Sequence, residues 1–395
     1  MSVMQVTFFH RRPQEDQISV ERVFAQVRAA LPAMVEPRVA ESTFRSRGFW
    51  PRLYNAIEAV FRQGDVNHVT GDVHFLDILL AKKKTLLTIH DCVVLERLHG
   101  LRWWLFFFFW YWLPARRASI ITVISRSAKR ELLRYLRCDP AKIRVVHNPC
   151  PREFHPAPRP FNEQNPLILQ VGTRSNKNLL RLAEALRGIR CRLRIVGRLT
   201  DEQIGKLQDC RIDYSAVAEI SDDEIADEYR RCDMLVFVST YEGFGMPIIE
   251  AQATGRPVVT SNIFSMPEVA GAAAALADPF DAASIRATVL RVIRNGDYRA
   301  ALIRRGYENT KRFSPRQIAL QYAALYRELH PKTEGERAMP RPIGGFRFHA
   351  ADPVVRTGET TSGGLSQFGH QASLGRDENG TVPVASVPPR ERAIS

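Results

Sequence analysis

Short, wholly apolar runs alternate with segments of helical periodicity through this chain, and one proline-rich break divides the alternation in two. Met4 to Phe9, Asp65 to Val69, Thr85 to Ile89, Ile120 to Ile124 and Ile143 to Val146 read as strands. Ile18 to Leu31, Phe75 to Leu80 and Ser127 to Leu136 read as helices or helix starts. A strand without polar alternation is buried on both faces, as in a parallel sheet covered by helices. Pro149, Pro151, Pro156, Pro158, Pro160 and Pro166 then interrupt the pattern, and the stretch reads as an extended connection. The alternation resumes with strands at Leu167 to Val171, Cys191 to Val196, Met234 to Val238 and Pro257 to Thr260. Helices are expected at Asn178 to Leu186, Asp222 to Arg230, Met246 to Ala253, Ser284 to Asn295 and Pro315 to Leu329.

This predicts an α/β protein of two Rossmann-like domains, each with its own core. A chain of 395 residues is too long for one ordinary core, which agrees. The expected division is an N-terminal domain over 1–150, a linker over 151–166 and a C-terminal domain over 167–312. A last helix over 313–330 is expected to pack back on the N-terminal domain. Residues 331–395 are rich in Gly, Ser, Thr, Pro and Arg without apolar periodicity, and read as a disordered tail.

The net charge of +14 is uneven: residues 1–160 hold 25 Lys and Arg against 14 Asp and Glu. A basic first half attracts anions such as phosphorylated substrates or an anionic membrane surface. Nucleic acid would also fit the charge, but no nucleic-acid motif occurs. The six cysteines form no CxxC pair and read as buried reduced thiols. No signal peptide is visible, and no run reaches the ~18 apolar residues of a spanning helix. The nearest is Trp103 to Leu113, a dense aromatic run bracketed by Lys82 to Lys84, Arg102, Arg116 and Arg117. It reads either as a buried core helix or as a segment lying in the headgroup region of a bilayer. The expected location is cytoplasmic, peripheral on the inner face of the cell membrane.

Ligands of parallel α/β sheets sit beyond the carboxyl ends of the strands. After Val238 comes STYEGFGMPIIEA. Gly243 and Gly245 allow close backbone approach, and Pro247 suits a first helical turn, whose amides favour a phosphate. Glu250, one turn in, leans back toward the same cleft as Glu242. Two carboxylates around an amide-rich turn suit a ligand bearing hydroxyls and phosphates. Lys177 follows the strand ending at Gly172, where its charge would stabilise a leaving diphosphate. His90 and Asp91 follow the Thr85 to Ile89 strand; Gly71, Asp72 and His74 follow the Asp65 to Val69 strand.

The Glu242 to Glu250 segment resembles the glutamate–seven residues–glutamate signature of family-four retaining glycosyltransferases. LQVGTRSNKNLLRL, LRIVG, RCDMLVFVST, ATGRPVVTSN, MPEVAGAAAALADPFD and RFSPRQIALQY resemble that family's segments in its order, as do TIHDC, VISRSAKREL and KIRVVHNP. The resemblance covers roughly residues 60–330. It implies two Rossmann domains facing across a cleft, the GT-B arrangement. It further implies a nucleotide diphosphate sugar as co-substrate on the C-terminal domain, no other cofactor and no metal; no DxD triplet occurs in the chain.

Carried over residue by residue, Glu250 binds the nucleotide ribose, Glu242 contacts the donor sugar, and Lys177 meets the diphosphate. Gly243, Phe244 and Gly245 supply backbone to the sugar and diphosphate. His90 faces the sugar from the other domain. The family's arginine after the glycine is displaced here, because Thr173 follows Gly172 and Arg174 comes next. A glycine-rich loop after the first strand is also missing: the stretch is HRRPQEDQISVERV. Acceptor-side candidates are therefore Arg11, Arg12, Asp72, His74 and Asp91. The expected activity is transfer of a hexose, with retention, to a lipid-linked or polysaccharide acceptor in envelope or exopolysaccharide synthesis. A nucleotide-sugar epimerase of the same fold and a non-catalytic nucleotide- or lipid-binding subunit are the alternatives.

Overall fold

The structure is a computed structural model and describes residues 3–12 and 19–330. The tail reading of 331–395 lies outside these residues, as does the first residue of the helix expected from Ile18.

The N-terminal half is built from β1 (Met4–His10), α1 (Ser19–Ala29), β2 (Val35–Glu41), α2 (Phe49–Val60), β3 (Val66–Val69) and β4 (Thr85–Ile89). It continues through α3 (Val93–Arg97), α4 (Gly100–Phe107), α5 (Leu113–Arg117), β5 (Ile120–Val123), α6 (Arg126–Tyr135) and β6 (Ile143–Val145). The expected helix at Phe75 is only a 3₁₀ segment, His74–Ile78. All six strands are parallel in the order β2-β1-β3-β4-β5-β6. The sequence reading missed β2 because VEPRVAE carries charge and a proline. Those features are tolerated at a sheet edge, where β2 lies and five of its seven residues are exposed.

The C-terminal half holds β7 (Leu167–Val171), α7 (Leu179–Leu186), β8 (Arg192–Val196), α8 (Asp201–Asp209), β9 (Asp213–Val217), α9 (Asp222–Arg231) and β10 (Met234–Phe237). Then follow α10 (Met246–Thr254), β11 (Val258–Ser261), α11 (Met266–Ala270), β12 (Ala275–Ala277), α12 (Ala282–Arg294), α13 (Gly296–Thr310) and α14 (Pro315–Leu329). Its strands are parallel in the order β12-β11-β10-β7-β8-β9. Helix starts are set by side-chain caps: Thr200 and Ser221 form reciprocal capping boxes with Gln203 and Glu224. Ser314 caps α14 just ahead of Pro315.

Three packing facts position the site. Strand order reverses between β1 and β3 in one sheet and between β7 and β10 in the other, which opens a crevice at each carboxyl edge. The two carboxyl edges meet: Ser125 Oγ donates to the Gly243 carbonyl at 2.8 Å, and Tyr241 Oη to Glu131 Oε2 at 2.8 Å. Finally, α14 leaves the second half and buries Ile318, Tyr322, Ala323 and Tyr326 against Phe8 and Phe24 of the first. Tyr326 Oη lies 2.7 Å from Nδ1 of buried His68. All six cysteines are free, and five are buried.

Candidate functional site

The loops after β7 and β10 flank the reversal of strand order, and both carry predicted site residues. Lys177 Nζ lies 2.6 Å from Glu242 Oε1, and 4.6 Å from the centre of the Phe237 ring. The pair is held on each side. Gln170, buried in β7, donates Nε2–H to the Lys177 carbonyl at 3.0 Å. Asn176 donates to the Tyr241 carbonyl at 3.0 Å, and its backbone carbonyl accepts from Thr240 N–H at 2.8 Å. Asn178, in the left-handed region at φ 64°, donates to the carbonyls of Val238 and Pro279.

Gly172 is required where Lys177 folds back. Its φ is +87°, and a Cβ there would lie 3.0 Å from Lys177 Cε.

Glu242 opens a turn that ends at Gly245, the N-cap of α10, with φ 106° and no side chain capping the helix. The amides of an uncapped helix start carry partial positive charge and face this cleft. Ser265 fixes the turn: its Oγ lies 2.8 Å from both the Glu242 and the Phe244 carbonyls. The Phe244 ring is buried against His147 and Phe313, so only its backbone faces the cleft. Glu250, one turn in, is half-buried and accepts a hydrogen bond from Tyr229 Oη at 2.7 Å. Desolvation pushes its pKa up to about 7, against the opposing pull of Tyr229 and Lys177.

The first half closes on this turn from above. A Cβ added to Gly243 would sit 3.1 Å from the His90 carbonyl oxygen and 3.4 Å from Asp91 Cβ, so any larger residue would push the two halves apart by a few tenths of an ångström. The His90 ring packs edge-on to Phe24, and its Nε2 has no hydrogen-bond partner among the described residues. Desolvation lowers its pKa to about 4, which keeps the imidazole neutral near pH 7. The Asp91 carboxylate accepts from Val93 N–H at 3.1 Å and starts α3. Two features unread in the sequence tie the halves together. Glu268 on α11 accepts from Arg126 N–H at the start of α6 at 2.8 Å, and lies 2.9 Å from His147 Nε2. Arg22 on α1 pairs with Asp222 on α9.

The acceptor-side candidates fare differently. Arg11 is engaged, with Nε 2.7 Å from Glu21 and Nη1 2.8 Å from Asp72, and bridges the reversal point between β1 and β3. Arg12 is exposed and donates to the Thr43 carbonyl. His74 is buried, its Nδ1 2.8 Å from the Trp110 carbonyl and its ring edge-on to Tyr111, so it holds the aromatic segment in place. On the donor side, Arg174, the candidate for the displaced arginine's place, is exposed and lines, with Arg181 and Lys206, a groove of about 440 Å³ between α7 and α8, to one side of the Lys177–Glu242 pair. Of the functional residues missed, Glu268 lay within a stretch quoted for family resemblance. Asn176 lay within another such stretch, whereas Tyr229 and Ser265 carried no local signal, because each acts through a contact with a distant segment. Among the described residues no group of three His, Cys, Asp or Glu side chains is placed to hold a metal ion.

The comparisons with known proteins agree with this architecture. Residues 151–309 match the family described as glycosyl transferases group 1, and residues 4–154 match glycosyltransferase family 4. Over 110 residues the chain is 37% identical to an O-antigen chain mannosyltransferase B of Escherichia coli; the match takes in 28% of this chain and 29% of that one. The chain thus spans less than a third of that curated relative's length. The fold is similar to a glycosyltransferase from Rickettsia africae, with TM-score 0.66 and 18% identity over 84% of this chain and 99% of that one. It is also similar to HepE of Anabaena, solved with UDP and glucose, with TM-score 0.65 and 15% identity over 82% and 99%. With one family model on each half and the two halves arranged as in these structures, the chain belongs to the family-4 type glycosyltransferases of GT-B fold.

Proposed function

We propose that this chain transfers a hexose from a nucleoside diphosphate sugar to a lipid-linked or polysaccharide acceptor, with retention at the anomeric carbon and without a metal. The observation that carries this reading is the 2.6 Å Lys177–Glu242 pair beside the uncapped start of α10. A diphosphate placed there meets an ammonium and a positive helix end, which together favour charge building on a leaving phosphate. Glu250 lies one helical turn away, at the reach of a nucleotide ribose. His90, neutral and with its buried Nε2 unpartnered among the described residues, suits a hydrogen bond to a sugar hydroxyl that reaches it.

The proposed step is a front-face displacement. The acceptor oxygen bonds to the anomeric carbon on the face from which the diphosphate departs. The C–O bond to the diphosphate breaks, and a diphosphate oxygen takes the acceptor proton. Glu242 holds Lys177 in place and borders the cationic sugar. The E. coli relative is named for mannosyl transfer to an O-antigen chain, which puts mannose first among the sugars to test. The basic first half supports work beside an anionic membrane surface.

The test is a thermal-shift and product screen with GDP-mannose, UDP-glucose and other nucleoside diphosphate sugars. One donor is expected to raise the melting temperature and to be consumed. Lys177→Ala and Glu250→Ala should weaken donor use, and His90→Ala should lower turnover by about 10²-fold. Full activity in all three variants would sink the assignment. Conversion of the donor sugar without an acceptor would point to an epimerase.

A further inference from the structure

The helix α2, which the sequence reading missed, is inside out. It buries Asn55, Ala56 and Ala59 and exposes Phe49, Trp50, Leu53, Tyr54 and Ile57, with Phe61 exposed at its C-cap. Trp50 is 74% and Phe61 84% exposed. A helix that hides its small residues and shows its large apolar ones is not using that face to fold.

The aromatic segment repeats the arrangement. Phe107 and Tyr111 are buried, and Trp103, Phe106, Trp110 and Trp112 pack against the same core. Leu101 is 74% and Trp104 64% exposed, with Leu105, Phe108 and Phe109 exposed beside them. Residues 108–112 form a π-helical turn, which shifts the following side chains around the axis. Ala56 and Ala59 of α2 share a core cluster with Phe107 and Tyr111, and the Arg52 guanidinium lies 4.5 Å from the Trp110 ring centre. The two apolar faces are thus neighbours.

We infer that α2 and α4, with its π-helical extension, form one docking surface that lies in the headgroup region of an anionic bilayer. This rests on the membrane part of the reading above, and names its surface. Charge selects the occupant. Residues 97–117 hold four arginines and no acidic side chain, and Arg45 and Arg47 stand exposed ahead of α2, while Arg62 after it is paired with Glu58. A second copy of the chain would bring these like charges together, whereas an anionic leaflet pairs them, each strengthening binding about fivefold. Tryptophan side chains, apolar with a polar edge, favour the same boundary. No helix among the described residues is long and apolar enough to cross a membrane, so the surface lies on the bilayer rather than in it.

The test is co-sedimentation of the full chain with vesicles of equal parts phosphatidylglycerol and phosphatidylcholine, and with phosphatidylcholine alone. The wild type should pellet with the anionic vesicles at low salt. A double variant, W50E with F61E, and separately W104E should lose binding by about tenfold or more. Leu320→Glu, which removes an exposed apolar residue on α14, should bind as the wild type does. The same proteins are scored for stabilisation by nucleoside diphosphates, which separates this inference from the transfer chemistry. A wild type that never pellets overturns the membrane docking and leaves the donor site standing. Equal pelleting of wild type and variants overturns the surface. A dimeric wild type whose variants are monomeric by light scattering assigns the face to a second copy and overturns the inference.

Discussion

At the scale of single residues, the candidate site depends on how few alternatives each position tolerates. Gly172 has φ +87° and less than a Cβ's room before Lys177. Gly172→Ala should therefore cost about 1–2 kcal/mol from backbone strain and displace the ammonium, so donor KM should rise while the fold persists. Calorimetry beside steady-state kinetics reads both. Glu250 gives a pH signature. Its folded pKa is raised to about 7, so the carboxyl gains a proton as pH falls through 7. The protonated form has lost acceptor capacity for ribose hydroxyls, and donor affinity should fall by up to about tenfold per unit below pH 7. Glu250→Gln should bind weakly and without that slope. A flat profile in the wild type would remove Glu250 from the nucleotide contacts. His90, neutral above about pH 4, should add no slope in this range. Glu242, Glu250, Lys177 and His90 were legible because each follows an apolar strand or opens a helix. Their partners were not: Tyr229 is 21 residues from Glu250, and Glu242 is 65 from Lys177.

At the scale of elements, strands with unbroken apolar runs were read to within a residue or two, because burial on both faces leaves no room for polar residues. Thr85–Ile89 and Leu167–Val171 agree residue for residue. The misses, β2, β9 and β12, are edge strands with exposed positions and a mixed or very short pattern that a loop could share. The helix α14 shows what an element can do away from its own domain. Its Tyr326 is fully buried between Phe8 and His68 of the first sheet. Tyr326→Ala should remove about 3–5 kcal/mol by opening a cavity, and leave His68 Nδ1 without its partner. Tyr326→Phe, which keeps the ring, should cost about 1 kcal/mol. Chemical denaturation of the two variants separates packing from hydrogen bonding. Equal losses would mean that the ring does not fill the space described. Ser265→Ala belongs here too, because one hydroxyl meets two loop carbonyls ahead of α10. It should raise donor KM with little change in melting temperature.

At the scale of the whole molecule, the titratable load is lopsided. His10, His68, His74 and His90 all lie in the first half, and burial lowers each below the usual histidine value, His10 to about 3 and His90 to about 4. An unfolded histidine binds its proton near pH 6.5, while these remain neutral in the fold. At these four positions the unfolded chain holds more protons below pH 6.5, so their contribution to stability falls as pH drops from there toward 4. The loss is up to about 1.4 kcal/mol per unit for each group. Buried carboxyls oppose this with a slope of the same size per group: Glu250 and Asp77, raised by desolvation to about 7 and about 8, take up protons in the fold first, and Asp91 and Glu131 are raised in the same direction. Melting curves at pH 7.5, 6 and 5 should show His10→Gln losing less stability in acid than the wild type; equal pH dependence in the two would contradict a buried neutral His10. The sequence by itself determined two parallel α/β halves, the proline-rich break between them and the loops that carry the donor-site residues. These follow from local periodicity and from the rule that parallel sheets offer ligands their carboxyl edges. Only the tertiary structure decided which side chains meet and which face water. Arg11 was a candidate for an anionic acceptor until folding brought Asp72 and Glu21 to it. The aromatic run could be core or surface until packing placed half of it in each, and α2 exposed a face that no periodicity had announced. A contact between distant segments is set by how the layers stack, and the sequence encodes that stacking only through the sum of all its burials.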